Sequence, residues 1–214
     1  MAIKSISEFF GFSLFIFDLD NTIYNEEDYL FQAYKEIADR FAGLYPSPDS
    51  KKLFLKMKEI YDKQGREKLF DKFLLKFKID DRHLHECLNI LRSFNPAKPL
   101  EMNPYSKQIL KELQERGKKI FVLTNGNAEQ QKNKIRHISW DGLDKKISFV
   151  FAAEFEPKPS PAGVLYILKS AGTEKGRTIF VGDSDTDKNC AINSGVIYLD
   201  IKDLYILTGY KKEA

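Results

Sequence analysis

Five short runs of apolar, β-branched and aromatic residues, separated by stretches at helical period, constrain this chain more than any other feature. The runs are Leu14-Phe15-Ile16-Phe17, Ile120-Phe121-Val122-Leu123, Ile147 to Phe151, Thr178-Ile179-Phe180-Val181 and Val196-Ile197-Tyr198-Leu199. Helical patterns run from Tyr105 to Arg116, stopped by Gly117, from Glu129 to Ile138, from Gly163 to Ala171, stopped by Gly172, and from Lys188 to Asn193, stopped near Gly195. Glycine just past the last periodic residue is a common helix end, because it enters the left-handed region without a Cβ penalty. Strands alternating with helices predict an α/β core with a parallel, helix-covered sheet. In such sheets the functional groups collect at the carboxyl ends of the strands.

The alternation breaks from Asn25 to about Phe94, where only helical patterns occur. Tyr29, Leu30, Ala33, Tyr34, Ile37, Ala38 and Phe41 form one apolar stripe, with Asn25 as its expected N-cap and Asp28 three residues on. Pro46-Ser47-Pro48 is expected to end that helix. Leu53, Met57, Ile60 and Tyr61 make a second stripe, Leu69, Phe70, Phe73, Leu74 and Phe77 a third, and Leu84, Leu88 and Leu91 a fourth. Asn95-Pro96-Ala97-Lys98-Pro99 leads back to the core. The reading is a core of residues 1–24 and 100–214 with a helical cap and linker of residues 25–99, placed as a lid over the strand ends.

A chain of 214 residues can build one well-packed domain with an insertion. Lys+Arg 34 against Asp+Glu 31 gives a net charge of +3, too balanced to imply a nucleic-acid or membrane partner. No signal peptide or membrane span fits the sequence, and Cys87 and Cys190 match no metal spacing, so both are read as reduced thiols of a cytoplasmic protein. The lysine-rich stretch from Lys51 to Lys78 interleaves with core-facing aromatics, which makes it a solvated helix face. His83 and His85 are two residues apart and His137 stands alone, so none has zinc spacing.

Four strand ends carry chemistry. The first run ends in Asp18-Leu19-Asp20, and alternation would point both carboxylates to one side. Two acids fixed there repel each other and are costly to desolvate, so a cation or a proton transfer is expected to require them. The second ends in Thr124-Asn125-Gly126, a hydroxyl with backbone N–H groups able to hold phosphate oxygens. Lys158, between Pro157 and Pro159, can present a fixed ammonium to an anion. The last ends in Gly182-Asp183-Ser184-Asp185-Thr186-Asp187, whose oxygen ligands suit Mg²⁺. Together they suit phosphoryl transfer, in which one acid attacks, a metal and a lysine offset charge, and a second acid protonates the leaving group.

On these motifs the chain resembles the haloacid-dehalogenase-like hydrolase superfamily, across the whole core. Asp18-Leu19-Asp20-Asn21-Thr22 is similar to its first motif, Thr124 to its second, Lys158 to its third and Gly182 to Asp187 to its fourth. The resemblance implies a Rossmann-like core with an α-helical cap, and an Mg²⁺-dependent phosphatase acting on a small phosphorylated metabolite through an aspartyl-phosphate. It makes Asp18 the nucleophile, Asp20 the general acid and then base, and Thr124 and Lys158 the phosphoryl holders, with Asn125 and Gly126 in the same phosphate-binding turn. The metal shell would be Asp18, the Asp20 carbonyl, Asp183 and Asp187, the last supporting either the metal or Lys158. Thr124-Asn125-Gly126 followed by Gln131, Lys134 and Ile135 is similar to N-acylneuraminate 9-phosphatases and related pyrimidine nucleotidases, pointing to sugar-phosphate, sialic-acid-type or nucleotide substrates.

Rival readings leave marks that can be checked. A response-regulator receiver places its acid pair well before the phosphorylated aspartate and lacks a helical insertion of this size. A catalytically dead binding module would have lost Asp18 or Asp20. A phosphosugar mutase uses the same residues and stays as the alternative. A metal-independent dehalogenase shares the nucleophile but has no need of Asp20. The expected partner is a phosphomonoester, with the chain monomeric or homodimeric.

Overall fold

The computed structural model describes residues 3–42 and 49–209. The chain divides into two compact units: one takes the chain up to Asn25, Glu101–Gln131 and everything from Ile138 on, the other Glu26–Leu100 with Lys132–His137.

The first unit is built on a parallel sheet of five strands in the order β3-β2-β1-β4-β5. They are β1 (Leu14–Phe17), β2 (Lys119–Thr124), β3 (Ile147–Phe151), β4 (Thr178–Gly182) and β5 (Ile197–Asp200), which fall on the five predicted runs. The helices of this unit are α1 (Ile6–Phe10), α6 (Pro104–Glu115), α8 (Ala162–Ala171), α9 (Asp185–Ser194) and α10 (Ile201–Leu207), with α2 to α5 in the second unit and α7 (Ala128–His137) divided between the two. Phe17 pairs with Val122 of β2 on one side and Val181 of β4 on the other, so β1 is the central strand, buried at all four residues. That explains its unbroken apolar run, since both faces of a parallel sheet are covered. Leu14, Ile16, Leu123, Val150 and Phe180 pack on Val164, Ile167, Cys190 and Ala191 of α8 and α9. On the other face Phe15 meets Phe9 of α1 at 5.0 Å between ring centroids. Burying each such side chain contributes about 2 kcal/mol. Neither α1 nor α10 was legible as a helix in the sequence, because five and seven residues are too short for a stripe to repeat.

The sequence placed the start of α9 at Lys188, but it begins at Asp185. Ser184 caps it, taking the Asp187 N–H at 3.2 Å while the Asp187 carboxylate takes the Ser184 N–H at 3.3 Å. This capping box turns what looked like an acidic loop into a helical first turn. Gly172 and Gly195 end α8 and α9 in the left-handed conformation, as expected.

The second unit holds α2 (Glu27–Ala42), α3 (Ser50–Gln64), α4 (Leu69–Phe77) and α5 (Leu84–Ser93). All seven residues of the α2 stripe are buried. Aromatic edges join the helices, with Phe31 against Tyr61 at 5.5 Å, Tyr34 against Phe70 at 5.9 Å and Phe41 against Phe73 at 6.2 Å. The helix α2 starts at Glu27, and the Glu26 carbonyl accepts the N–H groups of Tyr29 and Leu30. One sequence expectation is corrected here. In α5 the buried residue is Cys87, with Leu84, Leu88 and Leu91 only half-buried, so that stripe is centred one position off. Pro46-Ser47-Pro48 lies outside the described residues.

A buried ion pair ties this unit. Lys134, fully buried near the end of α7, reaches the Glu26 carboxylate at 2.7 Å, and Arg66 adds a second contact to the same oxygen at 2.5 Å. Burial pushes both thiols up, Cys87 to about 12 and Cys190 to about 11, and both cysteines are free. No helix among the described residues is long and apolar enough to cross a membrane.

Candidate active site

Asp18 is the first residue past β1. Its N–H still donates to the Val181 carbonyl at 2.9 Å, continuing the ladder, and then the chain turns. Asn21 takes a positive φ of 58°, and the Ile23 N–H closes onto the Leu19 carbonyl at 2.9 Å. Asp20 therefore lies in a turn, and strand alternation is not what places it. The turn gives the two carboxylates separate partners, although the Asp20 charge still acts on Asp18.

Lys158 occupies the middle of the site. Its ammonium donates to Asp18 Oδ1 at 2.5 Å, to Asp187 Oδ1 at 2.5 Å and to the Leu123 carbonyl at 3.2 Å, and the residue is only 6% exposed. All three of its protons thus have acceptors. Burial would lower its pKa, but the Asp18 and Asp187 charges raise it above the usual lysine range. Burial also pushes the Asp18 carboxyl up to about 7, helped by the Asp187 and Asp20 charges and opposed by Lys158.

The loop carrying Lys158 is fixed by Asn125. Its side-chain amide donates to the Lys158 carbonyl at 2.9 Å, and its oxygen accepts the Lys158 N–H at 2.9 Å. Asn125, expected among the phosphate binders, has its whole side chain committed to holding Lys158. Gly126 follows with a φ of 108°, a conformation that favours glycine. Thr124, at the end of β2 and almost fully buried, has its hydroxyl beside Gln131, whose Nε2 donates to it at 2.9 Å.

Asp183 follows β4 and is half-buried, and burial, with the Asp187 charge second, raises its pKa. Carboxylate oxygens of Asp18, Asp183 and Asp187 lie within 4.8 Å of one another. An all-oxygen donor set of this size fits a hard cation such as Mg²⁺. Asp187, however, already serves Lys158 with Oδ1 and takes the Ser184 hydroxyl at 2.6 Å with Oδ2. That leaves Asp18 and Asp183 with the oxygens better placed to hold such a cation.

Two residues near Asp20 carried no such expectation. The Tyr24 hydroxyl donates to Asp20 Oδ1 at 2.7 Å, and Gln131 Nε2 donates to Oδ2 at 3.0 Å. Gln131 entered the sequence reading only as part of a substrate-related pattern, and Tyr24 did not enter it at all. The histidines stand apart: His83 pairs with Glu86 at 2.8 Å and His137 with the Asn133 carbonyl at 2.8 Å.

Residues 15–201 match the family model described as haloacid dehalogenase-like hydrolase. A Clostridium perfringens protein named pyrophosphatase PpaX is 25% identical over 198 residues, covering 87% of this chain and 82% of the relative. Among solved structures, a subfamily IA hydrolase from Geobacter sulfurreducens superposes with a TM-score of 0.64 at 19% identity, over 88% of this chain and 86% of that one. A structure from Lactobacillus delbrueckii subsp. bulgaricus, named as a phosphoglycolate phosphatase, gives 0.60 at 18% identity, over 89% and 86%.

Proposed function

Since the chain belongs to the haloacid dehalogenase-like hydrolases, we propose that it is an Mg²⁺-dependent phosphatase that hydrolyses a small phosphorylated metabolite through an aspartyl-phosphate. The observation that carries this reading is Lys158, buried and bonded at 2.5 Å to both Asp18 and Asp187, with Asp183 beside them. Lys158 holds Asp18 through Oδ1, and among the described residues no hydrogen bond takes its Oδ2. Asp18 attacks phosphorus, a new P–O bond forms, and the bond to the leaving oxygen breaks as Asp20 gives that oxygen a proton. Asp20, now a carboxylate, takes a proton from water. The water oxygen attacks the same phosphorus, which frees Asp18 and releases phosphate. The Thr124 hydroxyl and the Lys158 ammonium orient the phosphoryl oxygens and offset their charge. A bound Mg²⁺, held by Asp18, Asp183 and the Asp20 carbonyl, would supply further charge neutralisation. Asp187 in this scheme keeps Lys158 in place.

The presence of Asp20, held by Tyr24 and Gln131, favours this reading over dehalogenation, because a halide leaving group needs no acid. The test is a phosphate-release screen over sugar phosphates, sialic-acid-type phosphates, nucleoside monophosphates, phosphoglycolate and pyrophosphate, each with Mg²⁺ and with EDTA. Release with Mg²⁺ that EDTA abolishes is the expected result. Transfer to a second sugar hydroxyl without free phosphate would make the chain a mutase, and undiminished turnover in EDTA would overturn the metal dependence.

A further inference from the structure

We propose that Gln131, assisted by Tyr24, is a positioning residue that sets both the proton-transferring Asp20 and the polarity of the Thr124 hydroxyl. The inference rests on the phosphatase reading above.

Gln131 lies one turn into α7, whose first turn is capped by Asn127 accepting the Gln130 N–H at 3.1 Å. Long helical side chains lean toward the helix N-terminus. Here that direction carries the Gln131 amide back past Gly126 to the ends of β1 and β2. A Cβ at Gly126 would come within 3.4 Å of Nε2, so the glycine also leaves room for the amide. Nε2 carries two protons and has three acceptors within reach, Asp20 Oδ2 at 3.0 Å, Thr124 Oγ1 at 2.9 Å and the Asn125 carbonyl at 2.5 Å, so one proton is shared. The Asn125 carbonyl, the nearest of the three, can only accept, so the amide cannot be turned the other way round. Its Oε1 meanwhile is buried with no donor among the described residues. A fold that leaves a buried acceptor unmet to keep the nitrogen here indicates that the donor is what the position needs.

Two consequences follow. Thr124 accepts from Gln131, so its own proton must point elsewhere. Among the described residues the acceptor within its reach is the Asn125 carbonyl at 3.3 Å, a long contact on an oxygen that also accepts from Gln131. The hydroxyl is thereby set as a donor for a phosphoryl oxygen. Asp20 is gripped at both oxygens, by Gln131 on Oδ2 and by the Tyr24 hydroxyl at 2.7 Å on Oδ1. This fixes the rotation of the carboxyl plane, and proton transfer is sensitive to that alignment. Tyr24 is only 1% exposed and touches Asp20 but not Thr124 through its hydroxyl, which separates the two effects.

The experiment compares Gln131→Met, Tyr24→Phe and Asp20→Asn with wild type. It uses p-nitrophenyl phosphate and an alkyl phosphomonoester turned over in the screen above, with inorganic phosphate as inhibitor. If Asp20 is the acid, Asp20→Asn slows the alkyl ester far more than the aryl one. Gln131→Met and Tyr24→Phe are then each expected to lower the alkyl-to-aryl kcat ratio about tenfold, a fraction of what a general acid contributes. Gln131→Met alone is expected to weaken phosphate inhibition several-fold as well. Equal slowing of both esters by Gln131→Met with unchanged phosphate inhibition, or no effect on either, overturns the inference while the acid role of Asp20 stands. If Asp20→Asn leaves the ratio unchanged, the acid assignment itself fails and the inference with it. Should Gln131→Met not fold, Gln131→Asn, which withdraws the amide by one methylene, is held to the same outcomes.

Discussion

Lys158 shows how one side chain can serve stability and chemistry together. Three acceptors satisfy its buried ammonium, and two of them are carboxylates that would otherwise repel each other. Removing one partner of a buried ion pair typically costs about 3–5 kcal/mol, because the charges left behind stay desolvated. Lys158→Met is therefore expected to lower the unfolding free energy by about 3 kcal/mol in urea denaturation, and to abolish turnover. A loss below about 1 kcal/mol would show that Asp18 and Asp187 do not depend on it. Asp18→Asn differs in kind. It keeps the shape of the side chain and removes the nucleophile, so fold and thermal stability are expected to persist while kcat falls by several powers of ten. Residual turnover above a few per cent would remove Asp18 from the nucleophilic role.

At the scale of elements, the meeting of β4 with α9 sets the acidic end of the site. Gly182 ends the strand, and a Cβ added there would lie 2.7 Å from Cβ, Cγ and Oδ2 of Asp187. Those atoms cannot yield easily, since Asp187 is held by Lys158, by the Ser184 hydroxyl and by its own place in the capping box. Gly182→Ala is expected to push the Asp187 carboxylate off Lys158, lower stability by about 1–3 kcal/mol as overpacking does, and reduce kcat at least tenfold. Steady-state kinetics and a thermal melt check it, and wild-type values in both would mean that the strand end relaxes freely. The sequence could show an acid-rich segment after a strand. It could not show that Ser184 would cap a helix there, because a capping box differs from a polar loop only through hydrogen bonds that form after the chain has turned.

Across the molecule, the second unit has its own apolar stripes and its own buried ion pair, Glu26 with Lys134. The proposed catalytic, phosphate-binding and metal-holding residues all belong to the first unit. A chain with residues 26–99 replaced by a short Gly/Ser linker keeps that whole set. It would strand the Lys134 ammonium without Glu26, so Lys134→Ser is added to the design. This variant is expected to hydrolyse p-nitrophenyl phosphate and to lose its ranking of metabolites, as expected if the inserted helices select the substrate. A capless protein that folds and ranks metabolites as the full chain does would refute that role.

Periodicity and chemistry in the sequence were enough to determine the five parallel strands, three of the four stripes of the insertion, and Asp18, Thr124 and Asp183 as strand-end groups, with Lys158 in the loop after β3. These features depend on residue type and spacing along the chain, and burial of an apolar run or face is already written there. Partnership was decided by the tertiary structure alone. Asn125 holds the backbone of Lys158, thirty-three positions away, Asp187 serves Lys158, and Tyr24 and Gln131 grip Asp20 from a turn and a helix 107 residues apart. A hydrogen bond needs an angle and a distance good to a few tenths of an ångström, and no local pattern encodes these between residues so distant in the chain.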